Sequence, residues 1–165
     1  MVFSDSVFIC VFLPIVLAGY YICPKHLRNS FLLLVSLVFY AWGEPKYVFL
    51  MLASTLAAWL CGLAMDRTRE RKALSRAILI ISLVLMLGSL AVFKYLNFFV
   101  ENLNRIDGVA LKVQSIALPI GISFYTFQIL SYLIDLYWGK VSVQKSYFRF
   151  TLYVSFFSQL IAGPI

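Results

Sequence analysis

The stretch that most constrains this chain is residues 118–135, Leu-Pro-Ile-Gly-Ile-Ser-Phe-Tyr-Thr-Phe-Gln-Ile-Leu-Ser-Tyr-Leu-Ile-Asp. It is apolar enough to enter a membrane, yet it carries polar groups at ordered places. At helical spacing Gly121, Gln128, Ser131 and Asp135 fall on one side, with Tyr132 beside them. Ile122, Ile129 and Leu133 fall on the opposite side and are expected to meet lipid. Pro119 suits the first turn of a helix, where its missing N–H costs nothing. The stretch therefore reads as a transmembrane helix whose polar stripe turns toward other helices or a wet cavity, because polar groups in hydrocarbon are expensive. Hydrogen-bonded glue between helices is the commoner use of such a stripe. The wall of a substrate passage is the sharper reading.

Composition extends this class to the whole chain. Hydrophobic residues make up 62% of the 165 positions, against about 45–50% in soluble domains. Charged residues make up only 13%. The expected fold is all-α, a polytopic transmembrane helical bundle of about six spans, at residues 3–22, 30–43, 47–65, 77–100, 116–138 and 147–163. The net charge of +7 is not a nucleic-acid signature, because no basic polar domain carries it. It lies in short loops between apolar runs, where it orients the chain and touches membrane lipids. Cys10, Cys23 and Cys61 have neither metal nor redox spacing.

Charge also predicts topology. The first, third and fifth loops hold Lys25 and Arg28; Arg67, Arg69, Arg71, Lys72 and Arg76; and Lys140, Lys145 and Arg149. These are ten of the fourteen basic residues. Those loops are expected in the cytoplasm, with the N-terminus outside and the chain crossing the membrane several times. Residues 3–22 lack a basic start, so they read as a retained helix and not a cleaved signal. The apolar ending at residues 162–165 leads to the expectation of the front part of a longer protein.

Other features have quieter readings. Ser54, Ala58 and Gly62 recur every four residues and predict close helix packing. Lys94 reads as a snorkelling residue at a helix end. In the sixth span Thr151, Ser155, Ser158 and Ala162 share a face, with Gln159 adjacent, a second polar stripe that could meet the first. Asp135 has Lys140 and Arg149 as possible ion partners. The catalytic inventory is thin. No phosphate-cradling glycine loop is present. Gly121-Ile-Ser-Phe-Tyr125 departs from a nucleophile elbow at its last position. No acid pair or histidine cluster has ligand spacing, so neither metal nor bound cofactor is predicted. His26, the single histidine, sits between Lys25 and Arg28 without a carboxylate to orient it.

Four phrases occur in order: Phe39-Tyr-Ala-Trp-Gly-Glu-Pro45, Phe93-Lys-Tyr-Leu-Asn-Phe-Phe99, Leu118-Pro-Ile-Gly-Ile-Ser-Phe-Tyr-Thr-Phe-Gln128 and Tyr153-Val-Ser-Phe-Phe-Ser-Gln-Leu-Ile-Ala-Gly-Pro164. Together they resemble the N-terminal portion of the membrane-bound O-acyltransferases, in the branch of the alginate O-acetylation proteins. Ser158 departs from this branch, which has proline there. The resemblance implies a membrane enzyme that moves an acetyl or other acyl group from a cytoplasmic thioester, acetyl-CoA or an acyl carrier, to an exported polysaccharide such as alginate. It further implies extracytoplasmic polysaccharide-modifying acetyltransferases as partners. The family's essential histidine lies downstream of the Ala-Gly-Pro phrase, past residue 165, and His26 matches no family site. No catalytic residue is therefore carried over, and this piece is expected to be inactive alone. Gln128, Ser131, Asp135 and Gln159 are the candidate passage-lining residues. A transporter or channel subunit, or a membrane scaffold without chemistry, are the alternatives.

Overall fold

The computed structural model describes the backbone of residues 8–103, 119 and 121–157, and side chains over 10–95, 119 and 121–157. Everything described is helix or connection. A π-helical turn, Phe8–Phe12, leads into α1 (Leu13–Ile22), followed by α2 (Arg28–Gly43), α3 (Tyr47–Arg67), α4 (Lys72–Leu103), α5 (Ile122–Tyr137) and α6 (Tyr147–Ser155). Two segments, Tyr47–Arg67 and Lys72–Tyr95, are long and apolar enough to cross a membrane. The α3 helix has 21 residues, about 31 Å at the usual helical rise and so matched to a hydrocarbon core.

α3 is the central post, touching α2, α4, α5 and α6. Its buried face is Met51, Thr55, Ala58, Gly62 and Met65, a helical stripe of mostly small or flexible side chains. Ala58 and Gly62 fulfil the close-packing expectation. A Cβ on Gly62 would stand 3.4 Å from Leu136 and 3.5 Å from the Tyr132 ring of α5. Ser54 is turned off this face and donates to its own Leu50 carbonyl, and Thr55 takes the buried place. On α4, Ser75, Leu79, Ser82, Met86 and Leu90 face inward, while Ile80, Ile81, Val84, Leu85 and Val92 are exposed. A helix apolar on both its covered and its open side suits a lipid surrounding.

Helix ends depart from the predicted spans where local chemistry decides. α2 takes in Arg28 and Asn29; Arg28 bonds the Cys23 carbonyl and lies over Tyr20. α4 begins at Lys72, inside the charged run and before the expected residue 77. Lys94 is exposed on it and lies over Tyr95. Pro119 is not in the first turn of α5. The helix starts at Ile122, after Gly121 at φ 77°, a left-handed conformation that glycine adopts without strain. At the other end Gly139 is also left-handed, φ 72°. There the Gly139 N–H bonds Leu136 O, and the Lys140 N–H bonds Asp135 O. This pair of bonds is a Schellman motif, and it caps two of the carbonyls that a helix end leaves open.

The predicted face of α5 is reversed. Ile122, Ile129 and Leu133 do not meet lipid; they are buried in the core, as are Tyr125, Thr126, Leu130 and Leu136. The predicted sixth span is also broken. α6 is a nine-residue helix ending at Ser155, because Phe156 adopts φ −58°, ψ 119°; residues 158–163 lie outside the described residues. Nor does α6 begin level with the end of α3. Gly139 lies beside Arg69, but the Gln144 carbonyl accepts from Trp59 Nε1 at 2.8 Å and the Gln144 N–H donates to Tyr132. Tyr147 then reaches the Leu52 carbonyl. The extended chain between Gly139 and α6 therefore climbs back along α3 toward its middle.

Two outcomes test these features. Gly62→Leu should destabilise by about 1–3 kcal/mol through overpacking, whereas Gly62→Ala should be mild, as read by thermal unfolding. In a bilayer crossed by α3 and α4, the climbing segment, with exposed Lys145 and Arg149 near it, must line water, since open backbone groups are not tolerated against lipid. A cysteine at Ser142, with Cys10, Cys23 and Cys61 replaced, should react with a charged maleimide as one at Glu70 does. A cysteine at Val84 should not.

Candidate functional site

Of the four predicted passage residues, the structure describes three. Gln128 is half-buried, and its Nε2 donates to the Tyr153 carbonyl of α6 at 2.8 Å. That carbonyl sits in the last turn of α6. Gln128 thus joins α5 to α6. Ser131 is exposed. Asp135 is partly exposed and stands 3.6 Å from Lys140, an open ion pair worth about 0–1 kcal/mol. Lys140 also covers the Trp138 ring. Ser131 and Asp135 therefore lie on the side of α5 away from the core, and among the described residues they do not converge with Gln128. Gln159 lies outside the described residues. On α6, Thr151 and Ser155 are buried; Thr151 bonds back to the Tyr147 carbonyl.

A second constellation was not singled out from sequence. The hydroxyl oxygens of Ser36 and Tyr40 on α2, Tyr125 on α5 and Ser155 on α6 are buried, and among the described residues none has a hydrogen-bond partner. Tyr125 is only 2% exposed. A buried hydroxyl left unpaired costs about 1–3 kcal/mol, so these four are candidates for pairing with a bound molecule, water or further chain. Tyr40, Tyr125, Glu44 and Tyr47 lie within electrostatic range of one another. Around them Tyr47 packs edge-on to Phe93 at 6.1 Å, and Phe39 to Phe157 at 6.1 Å. Phe12 closes on both Phe39 and Phe157. The signal was available. Tyr40 and Glu44, Phe93, Tyr125, and Ser155 with Phe157 come from the four phrases quoted above, one group from each. Far apart in the chain, they gather where α2 ends, α3 and α5 begin and α6 stops. No described group of three or more His, Cys, Asp or Glu could hold a metal, and His26 is exposed in the α1–α2 turn. The site offers hydroxyls, an amide and a carboxylate, which hold and orient by hydrogen bonding.

Tyr125→Phe, which removes one of these hydroxyls and keeps the ring, should leave the melting point unchanged or raise it, by up to about 1 kcal/mol of stability, as read by thermal unfolding.

Known proteins align with the chain from end to end. The probable alginate O-acetylase AlgI of Pseudomonas aeruginosa is 39% identical over the whole chain, and the protein of the same name in Azotobacter vinelandii is 41% identical. The peptidoglycan O-acetyltransferase of Helicobacter pylori is 32% identical, again over the whole chain. The chain spans 32%, 34% and 37% of these three relatives, about a third of their length. No family model matches, and no solved structure does. Along its whole length the chain is thus a homologue of alginate O-acetylases and of a peptidoglycan O-acetyltransferase, consistent with the N-terminal portion of a membrane-bound O-acyltransferase.

Proposed function

We propose that this chain forms the N-terminal part of a membrane O-acyltransferase that passes an acetyl group from a cytoplasmic thioester to a hydroxyl of an exported polysaccharide. The observation that supports the reading is that described residues of four separate segments, Tyr40, Phe93, Tyr125 and Phe157, lie toward one end of the bundle, in a chain whose relatives are named for O-acetylation of alginate or peptidoglycan. The charge pattern assigns the Arg67–Arg76 end to the cytoplasm and the N-terminus to the outside of a bacterial inner membrane. The hydroxyl end then faces the acceptor side. Donor binding, acetyl-CoA or an acyl carrier, falls at the opposite end, and acetyltransferase partners act beyond the membrane.

No described residue is placed to abstract a proton from an acceptor hydroxyl, since the single histidine is remote from the site. The role of this part is to build the wall. Ser131 and Asp135, on the open side of α5, are available to line a passage completed by further chain. Gln128 joins α5 to α6, and Gln159 is assigned to the passage from its place in the sequence alone. In the complete protein, alanine at Gln128, Ser131, Asp135 or Gln159 should cut polysaccharide acetylation several-fold with the membrane level unchanged. Normal acetylation in all four variants would remove the passage assignment.

A further inference from the structure

The end of the bundle opposite the hydroxyl cluster holds an open cavity of about 400 Å³, bounded by the α3–α4 turn and the end of α5. Three cations, Arg69, Lys72 and Arg76, line it, against one carboxylate, Asp66. Two of the cations are placed by contacts. Arg69 reaches across to the left-handed turn of α5, where a Cβ on Gly139 would meet its Nη2 at 2.9 Å. Arg76 Nε donates to the Tyr137 hydroxyl at 3.4 Å. Among the described residues, none of the three lies within ion-pair distance of a carboxylate; the ion pair formed nearby is Lys140 with Asp135. Arg69 also borders a neighbouring cavity beside Arg67, Asp66 and Glu70. The first turn of α4 begins at Lys72, and its N–H groups, which no helical carbonyl can reach, add to the positive potential.

The floor of the cavity is apolar: Met65 and Leu136 are buried beneath the cations. Leu74 and Trp138, the chain neighbours of the lining residues Ser75 and Tyr137, are exposed apolar side chains. Its level is fixed by the helices themselves, since one membrane-length segment ends at Arg67 and the next begins at Lys72. Unpaired cations, an apolar floor and headgroup depth together fit an amphiphile with a phosphate. We propose that this cavity binds the phosphate of an anionic phospholipid, held by Arg69, Lys72 and Arg76 through charge-assisted hydrogen bonds, with its tails beside Leu74 and Trp138. A soluble phosphate shares the charge but makes no use of the apolar flank. The assignment needs α3 and α4 to cross a bilayer and is independent of the acetyl-transfer chemistry.

The test uses the complete protein in mild detergent, offered phosphatidylglycerol against phosphatidylcholine, with retained lipid read by native mass spectrometry and stability by melting point. Phosphatidylglycerol should be retained roughly fivefold over phosphatidylcholine and should raise the melting point. R69Q/R76Q should abolish that preference, whereas K25Q/R28Q, which removes equal charge from the α1–α2 turn and the start of α2, should keep it. Wild-type protein without a preference overturns the proposal, whatever the variants do. So does a K25Q/R28Q variant that loses as much as R69Q/R76Q, because bulk charge would then explain the binding. If millimolar inorganic phosphate displaces the lipid and stabilises equally, the cavity takes a soluble phosphate and the lipid assignment falls.

Discussion

The close approach of α5 to the Ala58–Gly62 face of α3 is the contact on which the remaining arrangement depends. Because Gly62 has no side chain, Leu136 and Tyr132 can lie against the α3 backbone. That approach brings Tyr132 to the Gln144 N–H, while Trp59 on the same α3 turn takes the Gln144 carbonyl. The climbing segment is held from both helices, and α6 starts where it does as a result. Between apolar helices in lipid, packing and hydrogen bonds supply association that burial from water would supply elsewhere. Small residues on α3 and polar side chains on its neighbours are therefore complementary parts of one interface.

Helices and their order were legible in the sequence, because apolar runs bounded by charge and glycine leave little choice. The small-residue face of α3 was legible too, since spacing alone carries it. Which side of α5 turns inward was not. That helix has a regular apolar stripe and a regular polar one, and near a membrane polarity does not say which is covered. Shape decided it: Ile122, Ile129 and Leu133 fill the space against α3 and α4, and Ser131 is left open. The break at Phe156 was equally hidden, because Phe-Phe-Ser has no glycine or proline to announce it. The climb of the chain after Gly139 depends on contacts with Trp59, far away in sequence, and no local pattern encodes it.

The candidate site divides the same way. Gln128 was legible as a polar residue facing a neighbouring helix, and its bond to α6 bears that out. The hydroxyl group of Ser36, Tyr40, Tyr125 and Ser155 was not, because its members are spread over three apolar segments that only the fold brings together. Tyrosines near helix ends are ordinarily interfacial anchors with wet hydroxyls. Tyr40 and Tyr125 have theirs buried, which separates them from Tyr20 and Tyr21 at the end of α1.

The Gln128 bond to Tyr153 makes the joint between α5 and α6 unequal in its two halves. The acceptor is a backbone carbonyl, which every amino acid at 153 would supply, so replacement of Tyr153 leaves the bond its oxygen. The donor is a side-chain amide, which only a glutamine-like residue of that length supplies. Tolerance to sequence change is therefore one-sided, and position 128 is where the joint is vulnerable.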